Sequence, residues 1–324
     1  MQRESLLEIK NLKVYFYLEE GIARVLEGIS LGIKEGEFFA LVGESGCGKT
    51  IFGLSILNLV PAPGKIVEGE INFAGKNLRS LSKKDWQALR GKEITMVFQE
   101  PLAFLNPVLS IGVQMTEMLN THLKMNKREA RLKALELLKN VGLAHPALIW
   151  ESYPHQLSGG MRQRVMIAMS LSCGPKFLIL DEPTTALDTT IQAQILELIL
   201  RIKKETRLTA LFITHDLAIV EGIADKVAIM YLGKLVETGK TEEIFQNPFH
   251  PYTRKLFACL LELNRPKTFL NAIPGQVPEA INRPAGCPFH PRCERKIEIC
   301  VKEFPPETES SETHRVWCYN PFYR

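Results

Sequence analysis

The sequence contains no apolar run approaching the roughly 18 to 20 residues that a membrane-spanning helix needs. It also lacks a signal-peptide opening: residues 1–10 alternate polar and apolar side chains, with no basic region followed by an apolar stretch. The expectation is a cytoplasmic protein, in which thiols stay reduced. Charge of one sign is scarce as well. Lys and Arg number 40 against 36 Asp and Glu, a formal net charge of +4, so the balance gives no reason to invoke nucleic acid as a partner. There is no internal repeat, no low-complexity tract and no heptad run. Cysteine is thin over most of the chain, with Cys47, Cys173 and Cys259 scattered, and then four crowd together as Cys287, Cys293, Cys300 and Cys318. A length of 324 residues exceeds what one compact core usually holds, which predicts two domains or one with an appendage.

What is present is an alternation of strand and helix patterns. Short apolar and β-branched runs at 7–9 and 12–17 predict edge strands. Residues 38–42 (FFALV), 95–98, 177–180 (FLIL) and 210–214 (ALFIT) are near-continuous apolar runs, as strands buried on both faces have. Helical patterns occupy 51–60, 127–140, 161–172 and 189–205. Such alternation predicts an α/β fold with a mostly parallel sheet. Residues 227–230 and 234–237, joined through Leu232-Gly233, predict a terminal hairpin. From about 101 to 156 the pattern turns mainly helical, as an inserted helical subdomain would. Past Phe249 come ten prolines, which predict a tail that cannot continue the sheet and needs another source of order.

Gly43-Glu44-Ser45-Gly46-Cys47-Gly48-Lys49-Thr50 fits G-x-x-x-x-G-K-[ST], after a predicted strand and before a predicted helix. Its glycines let several backbone N–H groups face one concavity, and the helix N-terminus adds partial positive charge. Lys49 can reach the β- and γ-phosphates of a nucleotide, and Thr50 can coordinate Mg²⁺. Cys47 reads as a small tolerated residue, since backbone rather than side chain faces phosphate there. Asp181 and Glu182 end another predicted buried strand, where ligands bind in α/β sheets. Asp181 would hold Mg²⁺ through water, and Glu182 would orient and activate the attacking water. The plainer alternative, an acid capping the helix after Pro183-Thr184, is weakened by the phosphate loop on the same chain.

Leu157-Ser158-Gly159-Gly160-Met161-Arg162-Gln163-Arg164 places Ser158 and Gly160 at the start of a predicted helix, a second N-terminal anion site. One chain cannot use two such sites on one nucleotide. Here the sequence closely resembles ATP-binding subunits of ABC transporters, whose signature is LSGGQ or a near variant. Met161 stands for the usual Gln, and Thr50 for the commoner Ser. The resemblance covers residues 7 to about 249. It implies a P-loop NTPase (RecA-like) core with an antiparallel β subdomain and a helical insert, and an ATPase whose signature closes over ATP held by a second ABC ATPase subunit. Gln99, in Val97-Phe98-Gln99-Glu100-Pro101, resembles the glutamine that contacts Mg²⁺ and water. Ala186-Leu187-Asp188 resembles the loop at the dimer seam, and His215 the switch histidine on the γ-phosphate. Phe16 falls where the family stacks an aromatic ring on adenine, although Tyr15-Phe16-Tyr17 is equally a strand pattern.

The segments NPFHPYTR (247–254), IPGQVP (273–278) and GCPFHPRC (286–293) are similar to the C-terminal extension of oligopeptide, dipeptide and nickel importer ATPases. The resemblance implies di- or oligopeptide cargo, with nickel or another small solute as the alternative. It also implies two transmembrane permease subunits as partners, an indirect substrate-binding protein, and a peripheral place on the cytoplasmic face of the cell membrane. Homodimer and heterodimer both stay open. A non-transport ABC ATPase is disfavoured, since those commonly carry two modules or long coiled-coil insertions. The expected division is an ATPase domain over 1–249 and a small proline-rich metal-binding extension over 250–324. The spacing C-x5-C-x6-C-x17-C could clamp a metal and supply order. Structural zinc usually draws on close C-x2-C pairs, absent here, whereas wider spacings suit a [4Fe–4S] cluster, which the family resemblance also implies. Zinc, with His290 and His314 in reserve, and disulfides or free thiols remain alternatives.

Overall fold

The computed structural model describes residues 5–185, 187–263, 273–309 and 311–322, without the side chains of 102, 103 and 259–263. In chain order the elements are β1 (Ser5–Leu18), β2 (Gly21–Lys34), β3 (Phe38–Val42), α1 (Lys49–Ile56), β4 (Gly64–Phe73), β5 (Lys76–Asn77), α2 (Lys83–Leu89), β6 (Ile94–Val97), α3 (Pro101–Phe104) and α4 (Ile111–Leu123). There follow α5 (Lys127–Asn140), α6 (Pro146–Glu151), α7 (Gly159–Leu171), β7 (Phe177–Asp181), α8 (Thr189–Thr206), β8 (Thr209–Thr214), α9 (Leu217–Ile223), β9 (Lys226–Tyr231) and β10 (Lys234–Lys240). The tail carries α10 (Thr241–Gln246), α11 (Pro251–Leu263), α12 (Ile299–Lys302), β11 (Thr308–Glu309) and β12 (Arg315–Val316). The chain divides into two compact units, Met1–Arg79 with Ile213–Arg324, and Ser80–Phe212.

In the first unit β2, β1, β4 and β5 form an antiparallel sheet in that order. The two edge strands expected at 7–9 and 12–17 are one strand, β1. Its buried residues Leu7 and Ile9 keep period two, then the count slips to Leu12 and Val14. A bulge at Asn11, with φ of 48°, absorbs the extra residue and returns the apolar side chains to one face. A second group of strands runs β11, β12, β10, β9, β3. β3 and β9 are parallel, and β9 and β10 form the expected hairpin through Leu232 and Gly233, both with positive φ as a primed turn requires.

The tail does continue this sheet, against expectation: β12 pairs antiparallel with β10, matching Glu237 to Val316 and Thr238 to Arg315. The pairing falls between Pro306 and Pro321, where every residue keeps its N–H donor. Nor does the tail form a core of its own. Tyr252, Phe289, Cys287 and Cys300 are buried in one apolar cluster with Ala40, Val42, Tyr231 and Val236 of the sheet. A segment too proline-rich to build a core thus shares an existing one, and each fully buried ring contributes about 1.5–3 kcal/mol. Glu237, fully buried, fastens the junction: its carboxylate accepts the N–H groups of Phe249 (2.7 Å) and His250 (2.9 Å) and lies 2.7 Å from His314 Nε2.

In the second unit β6 and β7 are parallel and in register from Ile94–Phe177 to Val97–Leu180, both fully buried. The helical insert expected over 101–156 is α3 to α6, with α4, α5 and α6 packed on one another and α5 on α7. Local chemistry sets its boundaries. Ser110 caps α4, and Asn126 with Glu129 closes a capping box on α5. Among the described residues no helix is long and apolar enough to cross a membrane.

Candidate active site

In the first unit the buried strand β3 delivers residues 43–48 to the start of α1. Gly48 caps that helix in the left-handed region, φ 104°, and a Cβ there would stand 2.9 Å from the Val25 carbonyl oxygen, so only glycine fits. Lys49 is buried, and its ammonium donates to the carbonyls of Gly43 (2.8 Å) and Glu44 (3.1 Å). These two acceptors offset the cost of burying the charge and hold it inside the ring of the loop, where phosphate oxygens would arrive. Ser45, Gly46 and Thr50 are exposed on the loop, whereas Cys47 turns inward, buried, with its sulfur 3.9 Å from Lys49 Nζ. Burial pushes the Cys47 thiol up, which leaves it an inert packing residue.

The same unit carries two more expected residues. His215 is exposed immediately after the buried β8, in a turn fixed by Asp216 N–H to Thr214 Oγ1 (3.0 Å) and Ala218 N–H to Asp216 Oδ1 (2.9 Å). Phe16 lies half-buried on β1, opposite Ala23 and Gly64, with its ring against Gly64, where a Cβ would come within 2.6 Å of it. Its neighbours are differently placed. The Tyr15 hydroxyl donates to Glu27 (3.0 Å), and Tyr17 is exposed beside Lys65.

In the second unit the register of β6 and β7 does the positioning. Val97 faces Leu180, so two residues further on Gln99 and Glu182 emerge side by side, and Gln99 Nε2 donates to Glu182 Oε2 at 3.2 Å. The Thr185 hydroxyl donates to the same oxygen at 2.9 Å, a partner that no sequence motif singles out. Glu182 has φ of 45°, a left-handed conformation that costs a non-glycine residue about 1–3 kcal/mol and that persists where surrounding contacts over-determine it. Asp181, one residue earlier, is buried at the strand end.

Ser158 caps α7 by accepting the Met161 N–H at 3.3 Å. The helix therefore begins at Gly159, two residues before the expected start. The cap uses Met161's backbone, so the absence of the usual Gln leaves it intact. Gly160 is buried so closely on α8 that a Cβ would lie 2.6 Å from Ile191 Cγ2. Ser158 and Gly159 stay exposed. Asp188 caps α8 through the Ile191 N–H (3.0 Å), while Ala186 lies outside the described residues.

The tail cysteines are free thiols, Cys287 and Cys300 buried and Cys293 and Cys318 half-buried, so the disulfide alternative is not realised. Among the described residues no group of three or more His, Cys, Asp or Glu side chains is placed to hold a metal ion. The four sulfurs nevertheless lie within electrostatic reach of one another. Burial, joined by the neighbouring thiols, pushes Cys287 and Cys318 up to about 12. Against that, the N–H groups of Phe289 and His290 point at the Cys287 sulfur, that of Arg295 at Cys293 and that of Asn320 at Cys318. The histidines held in reserve as zinc ligands are engaged elsewhere, His290 Nδ1 with the Cys287 carbonyl (2.9 Å) and His314 Nε2 with Glu237.

Known proteins resemble this chain along nearly its whole length. Residues 26–185 match the ABC transporter family, and residues 236–300 match the oligopeptide/dipeptide transporter C-terminal region. The oligopeptide transport ATP-binding protein AppD of Bacillus subtilis is 46% identical, over 97% of this chain and 96% of its own. The dipeptide transport ATP-binding protein DppD of Escherichia coli is 43% identical, over 98% of this chain and 97% of its own. Among solved structures, the dimeric ATP-binding cassette MJ0796 bound to ADP and Pi superposes with a TM-score of 0.64 at 30% identity, over 72% of this chain and 98% of that one. The P-loop fold, the ATP motifs and a tail matched along with them establish an ABC-type ATPase, and the chain belongs to the family of dipeptide and oligopeptide transport ATP-binding proteins.

Proposed function

We propose that this chain hydrolyses ATP to drive import of di- or oligopeptides through two separate membrane subunits, from a peripheral position on the cytoplasmic face of the membrane. The observation that carries the chemistry is Glu182 held by Gln99 and Thr185 at the end of a buried strand. Two neutral donors keep that carboxylate oriented, as a group that takes a proton from an attacking water must be. Gln99 bonds directly to it, so a shift of Gln99 would move the base. In this reading Lys49 and the loop backbone at Gly43, Ser45, Gly46, Cys47 and Gly48 bind phosphates, Phe16 stacks on adenine, and His215 contacts the γ-phosphate. Thr50, Asp181 and Gln99 hold Mg²⁺, which screens the phosphate charge. Ser158, Gly160 and Asp188 would face ATP held by a second ATPase subunit, which suits the exposed helix starts at Ser158 and Asp188.

The peptide cargo rests on similarity to peptide-transport proteins that extends through the tail. It is tested by reconstituting the chain with its membrane subunits in vesicles and measuring ATP-dependent uptake of a labelled dipeptide. Uptake of nickel or another small solute in its place would overturn the cargo.

Cys287, Cys293, Cys300 and Cys318 are proposed to hold a [4Fe–4S] cluster. Thiolates around a single zinc all lie about 2.3 Å from one ion, whereas those of a cubane bind four separate irons and stand further apart. What supports the reading here is that the four sulfurs lie near enough to interact electrostatically with one another. The backbone N–H groups aimed at three of them would stabilise thiolate charge. The cluster would supply covalent order to a tail that has no core of its own. Anaerobically purified protein is expected to carry iron and acid-labile sulfide in equal amounts, and to lose both with Cys287→Ser. Zinc without iron would refute the cluster.

A further inference from the structure

Glu44, the second residue of the phosphate loop, is held by the tail. Arg292 meets its carboxylate in a fork, Nη1 to Oε2 at 2.7 Å and Nη2 to Oε1 at 3.1 Å. The Glu44 N–H donates to the Tyr252 hydroxyl at 3.0 Å. Its carbonyl accepts Lys49 Nζ at 3.1 Å. Two of this residue's three polar groups are thus fixed by residues more than 200 positions away, and the third by the loop's own lysine. Arg292 is itself immobilised. Its Nε donates to Pro274 O (3.0 Å), Nη2 to Ile273 O (3.1 Å) and Nη1 to the Tyr231 hydroxyl (3.2 Å), and its side chain is 5% exposed. Beneath it Tyr231 packs edge to face on both Tyr252 and Phe289.

A carboxylate in a loop that must receive a polyphosphate is electrostatically unfavourable, and a mobile one would be worse. A planar guanidinium in a bidentate pair answers both problems, cancelling the charge and fixing the orientation. We propose that Arg292 is a positioning residue for the phosphate loop: acting through Glu44, the proline-rich tail presets the loop for nucleotide. The inference rests on reading residues 43–50 as that loop.

The test measures Kd for MgATP on the full-length chain, by displacement of a fluorescent ATP analogue. Arg292→Ala is expected to raise Kd about tenfold or more, the scale of a lost charge-assisted pair. Arg292→Lys should restore less than half of the loss, because an ammonium cannot make the fork. Glu44→Gln combined with Arg292→Ala should bind no more weakly than Arg292→Ala alone, since both act on one contact. Tyr252→Phe removes one hydroxyl and keeps the packing, so it serves if Arg292→Ala does not fold; it should raise Kd about threefold. Wild-type Kd in Arg292→Ala or in Tyr252→Phe, or strictly additive losses in the double variant, would overturn the proposal. Lys49→Ala tests the underlying reading separately: unchanged ATP binding there would mean that the loop is not the phosphate site.

Discussion

Two glutamates near the ATP motifs are held in opposite ways. Glu182 accepts hydrogen bonds from two neutral groups, Gln99 and Thr185, and sits on a strained backbone. Glu44 is neutralised by a guanidinium that is itself almost wholly buried. Neutral donors orient a carboxylate without bringing an opposite charge to it, whereas a bidentate arginine orients it and cancels its charge. The first arrangement suits a group that must react. The second suits one that must keep still beside phosphates.

The sharpest way to break this contrast is to remove each charge with the least change of shape. Glu182→Gln should cut hydrolysis by about 10²–10⁴-fold, the usual worth of a general base, while ATP still binds. Glu44→Gln should shift ATP affinity by less than tenfold and leave turnover at saturating nucleotide near wild type. Steady-state hydrolysis beside equilibrium binding separates the two, and equal losses of turnover would erase the distinction.

A smaller effect belongs to the tail. Burial holds His250 down at about 3, against 6.5 for a free imidazole, and its Nδ1 accepts the Tyr252 N–H at 3.1 Å. Between those values the unfolded chain takes up a proton that the folded chain refuses. The stability contributed by the neutral ring is therefore intact above 6.5 and lost as pH falls toward 3, by at most about 1.4 kcal/mol per pH unit. Urea midpoints measured across that window should fall less steeply in His250→Asn, and an unchanged slope would refute the assignment. The smallest effect lies in the second unit. A Gln in place of Met161 can return a hydrogen bond to the Ser158 N–H and close a capping box, so Met161→Gln should add about 0.5 kcal/mol in denaturant titration.

Most of the ATP motifs could be read in advance because each is local. Gly43 to Thr50 lies between one strand and one helix, and Ser158 needs only the helix that it caps. The pairing of Gln99 with Glu182 follows once β6 and β7 are known to be parallel neighbours in register. Arg292 on Glu44 left no such trace. The two residues are 248 positions apart, and their meeting depends on the path of a tail with few regular elements. The bulge at Asn11 was misread as a gap between two strands, because one extra residue breaks the period-two pattern without ending the strand. The return of the tail to the sheet at β12 was missed because the prolines were counted over the whole tail, while strand pairing needed only a short stretch without them.

The buried carboxylate of Glu237 has a consequence for how the tail comes undone. From β10 it holds the entry to α11 through two backbone amides and the residue before β12 through an imidazole. A fully buried carboxyl that loses one of these partners has no water to replace it, and such a loss costs about 1–3 kcal/mol. One side chain of the sheet thus staples two segments of the tail that lie more than 60 residues apart in sequence.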